Sequence, residues 1–137
     1  MMLDINGDKT IREVQQRFNA QYPFLKLEFY KVQDSSPAIA GRKRLDHSAR
    51  LKAAGLKKAG RFAIKEEMTV GELENAFEQF GLQVQVSRKS GILWLETTMT
   101  DRWTLRKQNE HGREISLSSP GLSVTGSDEA GIDRAVQ

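Results

Sequence analysis

The chain has 137 residues, no cysteine and two histidines, with 38% hydrophobic and 28% charged residues. A chain of this size forms one domain and can bury a core without disulfides or metals. The composition excludes disulfides and thiol catalysis, and neither a bilayer-spanning run nor a secretory signal is visible. The sequence therefore predicts a small cytoplasmic domain with no cofactor, no metal site and no membrane partner.

The positive charge is concentrated in one segment. The whole chain carries a net charge of +3, whereas residues 42–61 alone carry +7, so the other residues sum to −4. This segment has one acidic residue, Asp46, and eight basic residues: Arg42, Lys43, Arg44, Arg50, Lys52, Lys57, Lys58 and Arg61.

Two parts of the chain share one pattern at an offset of 59 residues. LDINGDKTIREVQQRF (3–18) and FAIKEEMTVGELENAF (62–77) each begin with an alternating stretch and continue with apolar residues at helical spacing. LKLEF (25–29) and LQVQV (82–86) then alternate again, at an offset of 57. Each copy therefore predicts a strand, a helix and a second strand.

Both predicted helices begin with the same four-residue signal. Thr10 with Glu13, and Thr69 with Glu72, have the spacing of a capping box. In that motif the threonine oxygen accepts a backbone N–H and the glutamate accepts the N–H of the threonine. The two glutamates could also be interpreted as paired carboxylates of a site, but capping accounts for both of them.

Two βαβ units in tandem predict a ferredoxin-like βαββαβ fold of the α+β class. The repeats would span 1–32 and 61–88 and share one four-stranded antiparallel sheet, with both helices on one face. Residues 33–60 would form a basic crossover with a short helix near 47–58. The strand at 25–32 would remain at a sheet edge, where unpaired backbone groups favour pairing with a second copy.

A hairpin strand and a helix are predicted after the second repeat. Ser90-Gly91 is a turn signal, and residues 92–97 form a fifth strand that is apolar on both faces. A helix over 100–112, ended by Gly112, would cover this strand. Trp94 and Trp103 are therefore expected in the core.

The stretch GLQVQVSRKSGILWLETTMTDRWTLRKQNEHG (81–112) resembles a bacterial family that shares a domain of unknown function. The resemblance covers about residues 60–115, implies a shared fold and brings no activity with it. The predicted domain, including its C-terminal hairpin strand and helix (92–112), spans 1–115. The Ser- and Gly-rich tail (116–137) is predicted to be mobile.

Three functions are compatible with these patterns. The leading prediction is a non-enzymatic binding or assembly module that acts through its sheet edge or face, with a homodimer as the expected partner arrangement. The alternative is that the eight basic residues of 42–61 bind nucleic acid or, failing that, an acidic protein partner. An enzyme would use Glu96 or Asp101 as a base and Arg102 as an anion clamp. Because no nucleophile, metal set or phosphate loop accompanies them, no catalytic residue is predicted.

Overall fold

The computed structural model describes residues 1–32 and 42–118 of an α+β protein. In chain order its elements are β1 (Met2–Ile5), α1 (Ile11–Gln21), β2 (Leu25–Val32), β3 (Arg42–Arg44), a 3₁₀ turn (Leu51–Ala54), β4 (Gly60–Ala63), α2 (Val70–Glu78), β5 (Gln83–Ser90), β6 (Leu93–Glu96), a second 3₁₀ turn (Thr98–Thr100) and α3 (Leu105–Ser118). No helix within the described ranges is long and apolar enough to span a membrane. Most of the tail that we predicted to be mobile, residues 119–137, lies outside the described residues.

The strands form two antiparallel sheets. β1 pairs with β4 in a two-stranded ribbon, and the other four strands form a sheet in the order β3-β2-β5-β6. The prediction of one ferredoxin-like sheet built from the four repeat strands is therefore wrong. β2 and β5 pair with each other at the centre of the sheet, and their outer sides are occupied by β3 and β6. The first strands of the repeats, β1 and β4, consequently pair with each other elsewhere.

Each of the first two helices begins at a threonine in extended conformation. The Thr10 Oγ1 accepts the amide of Glu13, and the Glu13 carboxylate accepts the amide of Thr10 at 2.8 Å. Thr69 and Glu72 make the same reciprocal pair. Both glutamates are thus engaged in capping boxes.

The core lies between the two helices, the ribbon and the inner face of the sheet. Phe77 of α2 is fully buried and contacts two other rings edge-on. Its ring centroid lies 5.7 Å from that of Phe29 on β2 and 5.2 Å from that of Phe62 on β4. This aromatic contact joins the sheet to the ribbon.

The backbone hydrogen bonds around β3 recur around β6. The segment after each of these strands returns to the central strand and then to the start of a helix. The matching donor–acceptor pairs are Leu45 N–Phe29 O with Thr97 N–Val86 O, Ile11 N–Ala49 O with Val70 N–Trp103 O, and Lys52 N–Gly7 O with Arg106 N–Glu66 O. The similarity of the two halves therefore extends into the segment that the sequence suggested was a plain crossover.

Helix α3 begins and ends later than predicted. It runs from Leu105 to Ser118, whereas the sequence suggested a helix over 100–112. Gly112 lies inside the helix and is buried. A Cβ at this position would approach Arg88 Cγ and Phe24 Cβ to 3.0 Å, so the glycine permits close packing rather than ending the helix.

The basic crossover contains less helix than predicted. Its only helical turn in the described part spans Leu51–Ala54, within which Leu51 is fully buried. Leu56 is half-buried. Residues 33–41 of this segment lie outside the described residues.

Candidate functional site

Strand β6 forms one edge of the four-stranded sheet. It follows a tight turn in which Gly91 has a φ of +66°, one residue later than the predicted Ser90-Gly91 turn. The Lys89 amide donates to the Phe24 carbonyl at 2.9 Å, so the Lys89 backbone points toward β2. Because backbone directions alternate along an antiparallel strand, the backbone N–H and C=O groups of Trp94 and Glu96, on β6, point away from the sheet.

The side chains of this edge are apolar and exposed. Leu93 and Leu95 lie on the same face of β6 and are 61% and 44% exposed, and Ile92 in the turn is 93% exposed. The prediction that the fifth strand is covered on both faces is therefore wrong. Helix α3 packs against β5 at Gly112 instead of over β6, and this leaves the two leucines in solvent.

Neither tryptophan belongs to the buried core, contrary to the prediction. Trp94 is partly exposed, and the Lys26 ammonium lies 5.0 Å from its ring centroid. Trp103 is also partly exposed, with the Lys107 ammonium at 4.3 Å and the His111 ring edge-on at 5.4 Å. The core position in this part of the chain is taken by Leu105, which is fully buried.

His111, beside Trp103, has a pKa below its ordinary value. Burial is the main cause, and the positive charge of Arg88 adds to it. The imidazole is therefore mainly neutral near pH 7. Its contact with the indole is a packing contact.

Strand β3 forms the opposite edge and has the opposite character. Its three residues, Arg42, Lys43 and Arg44, are all basic. β3 pairs with β2, with Lys43 opposite Lys31 and Arg44 opposite Tyr30. The prediction that β2 remains an open edge for dimerisation is wrong for the C-terminal part of the strand, because β3 pairs with Tyr30–Val32.

The outer face of the sheet, which the helices do not cover, carries a polar network. The Lys26 ammonium lies 2.9 Å from the Glu28 carboxylate, and the Arg44 guanidinium lies 3.8 Å from it. The Tyr30 hydroxyl donates to Glu96 at 3.4 Å. Burial and, to a smaller extent, the Glu96 charge raise the pKa of Tyr30, so the phenol remains protonated at neutral pH.

Two polar clefts lie where the edge strands separate from the central strands. The larger has a volume of 510 Å³ and is lined by Gln15, Lys26, Glu28, Arg44, Leu45, Asp46 and His47. The smaller, of 230 Å³, is lined by Arg42, Glu74, Asn75, Glu78 and the strand residues 82–85. Gln15 in the first cleft and Glu74 in the second each lie five residues after the capping threonine of their helix.

Glu74 is the most strongly perturbed carboxylate of these clefts. Its Oε2 accepts the Val86 amide at 3.2 Å, beside the point where β6 ends. Burial raises its pKa to about 6; the Val86 hydrogen bond opposes this shift and the negative charge of Asp101 adds to it. The described residues contain no group of three His, Cys, Asp or Glu side chains that could hold a metal ion.

The eight basic residues of 42–61 do not form one patch. Arg42, Lys43 and Arg44 lie on β3, whereas the Arg50 guanidinium donates to the Asp8 carbonyl and Arg61 pairs with Asp4 at 2.9 Å. The remaining three contact the loops of the ribbon side. Lys52 packs on Gly7, Lys57 on Gly81, and the Lys58 ammonium lies 5.7 Å from the Phe80 ring.

The cluster of residues 96–102 that an enzyme would use has structural contacts instead. Thr97 is buried and its hydroxyl donates to the Val86 carbonyl at 2.9 Å. The Thr100 hydroxyl accepts the Gln108 amide at 2.7 Å, and the Asp101 carbonyl accepts the Gly71 amide. Arg102 is exposed. These contacts fix the connection between β6 and α3.

No protein-family model, no curated protein and no solved structure matches this chain.

Proposed function

We propose that the protein is an assembly module that forms a homodimer by antiparallel pairing of β6 with β6 of a second copy. The observation that carries the proposal is the exposed apolar edge: outward-pointing backbone groups at Trp94 and Glu96, flanked by exposed Leu93 and Leu95. Unpaired edge backbone is a template for strand addition, and clustered exposed apolar side chains mark interaction sites.

The contrast between the two edges supports this proposal. We interpret the two halves as a tandem repeat of βαββ units, so that β3 and β6 are counterparts. β3 is short and wholly basic, and both properties hinder edge-to-edge association. Among the residues of β6 the only charged side chain is Glu96. One edge is therefore protected and its counterpart is not.

The sequence of β6 is also suited to pairing with itself. If two copies meet around a two-fold axis at Trp94, Leu93 of one copy lies opposite Leu95 of the other, and the reverse pair forms as well. Both leucine pairs then lie on one face, where they remove apolar surface from water. The outward N–H and C=O groups of Trp94 find partners in the same register.

The oligomeric state of the full chain tests this proposal. We expect a dimer in sedimentation equilibrium at micromolar concentrations. Leu93→Lys should give a monomer because a charged edge residue opposes pairing. Glu96→Pro should do the same, since it removes an outward N–H without breaking a hydrogen bond to β5.

Two matched variants control for unrelated effects. Met99→Lys adds the same charge at a residue that is 94% exposed but lies outside the strand, and it should leave the dimer intact. Glu96→Ala separates the loss of the carboxylate from the effect of proline. A monomeric wild-type chain, or a Leu93→Lys chain that remains dimeric while folded by circular dichroism, would overturn the proposal.

A further inference from the structure

Three adjacent basic residues on β3 lie beside a fourth basic residue and an aromatic ring on β2. Arg42, Lys43 and Arg44 form the strand, Lys31 lies directly opposite Lys43, and Tyr30 lies opposite Arg44. Like charges directly opposite each other destabilise a sheet. We infer that this basic corner (Tyr30, Lys31 and Arg42–Arg44) binds single-stranded nucleic acid.

The charges of the basic corner are weakly compensated within the described residues. Arg44 is 3.8 Å from Glu28, which already pairs with Lys26 at 2.9 Å. Lys43 and Lys31 have no ion pair among the described residues, whereas Arg42 shares a cleft with Glu74 and lowers the pKa of that carboxylate. The corner therefore offers several cations to an external polyanion, and phosphate groups meet this requirement by releasing their counterions.

The ring supplies the contact that distinguishes a nucleic acid from other polyanions. The Arg42 guanidinium lies over the Tyr30 ring, 4.4 Å from its centroid, in a cation–π contact. Guanidinium planes and aromatic rings are the surfaces on which unpaired bases stack. A base can stack on Arg42 while Arg44, on the same face of β3, contacts a flanking phosphate; Lys43 and Lys31 lie on the opposite face and can contact a phosphate only where the nucleic acid passes around the sheet edge.

A single strand suits this geometry better than a duplex. The corner is built on a three-residue strand at the edge of a sheet. Flat sheet surfaces with an aromatic residue accommodate splayed bases, whereas duplex readout uses an element inserted into a groove. The five other basic residues of 42–61 lie outside this site.

Fluorescence anisotropy with a labelled 12-nucleotide single strand tests the inference on the full chain. If four cations contact phosphates, log K should fall with log salt with a slope of about −3 on a single strand. The triple variant Arg42→Gln/Lys43→Gln/Arg44→Gln should lose about two units of that slope and most of the binding at low salt.

The chain itself provides a matched control. The variant Lys52→Gln/Lys57→Gln/Lys58→Gln removes the same charge from the same segment but at the ribbon side, and it should bind nearly as well as the wild type. Tyr30→Leu should weaken oligonucleotide binding roughly tenfold while leaving the salt slope unchanged, because stacking is independent of counterion release.

Three outcomes would overturn the inference. The first is an absence of binding at low salt. The second is an equal loss of affinity in the two triple variants while both remain folded, which would show attraction by net charge alone. The third is heparin competing as well as the oligonucleotide at equal charge, with no effect of Tyr30→Leu, because the site would then recognise any polyanion.

Discussion

Leu51 and Leu105 occupy equivalent places in the two halves of the protein. The Leu51 amide donates to the Lys9 carbonyl and the Leu105 amide donates to the Met68 carbonyl, both at 2.8 Å. Both leucine side chains are fully buried. In each half, the segment after the edge strand is thereby anchored beside the capping threonine of a helix.

This anchoring predicts that Leu51 is as important for stability as Leu105. Replacing either leucine with alanine should cost about 2–5 kcal/mol of unfolding free energy, because each leaves a cavity in the core. Urea titration followed by circular dichroism measures the loss. Leu117→Ala is the control, since Leu117 is 62% exposed and its replacement should change stability by at most about 0.5 kcal/mol. If Leu51→Ala leaves the unfolding free energy unchanged, the segment after β3 does not pack on the core.

The capping threonines allow a second stability test. Thr10→Ala and Thr69→Ala should each cost about 1 kcal/mol, because each leaves a helix-start N–H without its side-chain acceptor. Serine at the same positions should restore most of the loss, since its hydroxyl can accept the same bond. Thr98→Ala, at an exposed residue outside any cap, is the comparison. Loss of equal size in Thr98→Ala would argue against a capping effect.

The starts of α1 and α2 could be predicted from the sequence because side chains determine them. Thr10 and Thr69 have the capping spacing, and the apolar periods of 3–18 and 62–77 match. The second half of each repeat could not be predicted in this way. The segments after β3 and β6 are related mainly through backbone hydrogen bonds, which require no particular side chain and leave little trace in the residue pattern beyond Leu51 and Leu105.

The errors at the candidate site have a similar origin. The apolar pattern of β6 indicated burial on both faces, because exposed leucines on an edge strand and buried leucines have the same local sequence. The position of α3 decides between the two cases. That position depends on the close approach at Gly112, which the sequence suggested was a helix end. The basic character of residues 42–44 was visible, but their place on a sheet edge was not.

The raised pKa of Glu74 predicts how stability depends on pH. In the unfolded chain a glutamate titrates near its ordinary value of 4.5, whereas in the folded protein burial raises the pKa to about 6. Between these values the folded state retains a proton that the unfolded state has lost. The contribution of Glu74 to stability should therefore fall as pH rises from about 4.5 to 6 and then remain level, whereas the lowered pKa of His111 makes an opposite contribution just below pH 6.5.

The size of this effect is modest because Glu74 is partly exposed. A shift of this size corresponds to about 2 kcal/mol, which solvent screening reduces to about 1 kcal/mol. Glu74→Gln introduces the residue that position 15 carries. It should remove the fall in stability and stabilise the protein above pH 6. Glu78→Gln, at an exposed position of the same helix, is the control for loss of a carboxylate from the same cleft. Urea unfolding of both chains at pH 4.5, 5.5 and 7 gives the comparison, and a stability difference between wild type and Glu74→Gln that does not change with pH would contradict the assignment.

The proposed β6 pairing makes a prediction about specific cross-links. The chain contains no cysteine, so single cysteines report contacts without background. In the register with Trp94 opposite Trp94, Leu93 faces Leu95 of the second copy as a non-hydrogen-bonded pair, whose Cα atoms lie about 4.5 Å apart. That separation suits a disulfide. A mixture of Leu93→Cys and Leu95→Cys chains should therefore form a mixed disulfide under mild oxidation, whereas either chain alone should cross-link poorly. Mass spectrometry distinguishes the three products.

Efficient cross-linking of Leu95→Cys with itself would instead place the two-fold axis at Leu95. Equal yields from a Met99→Cys control would show that the disulfides arise from random collisions.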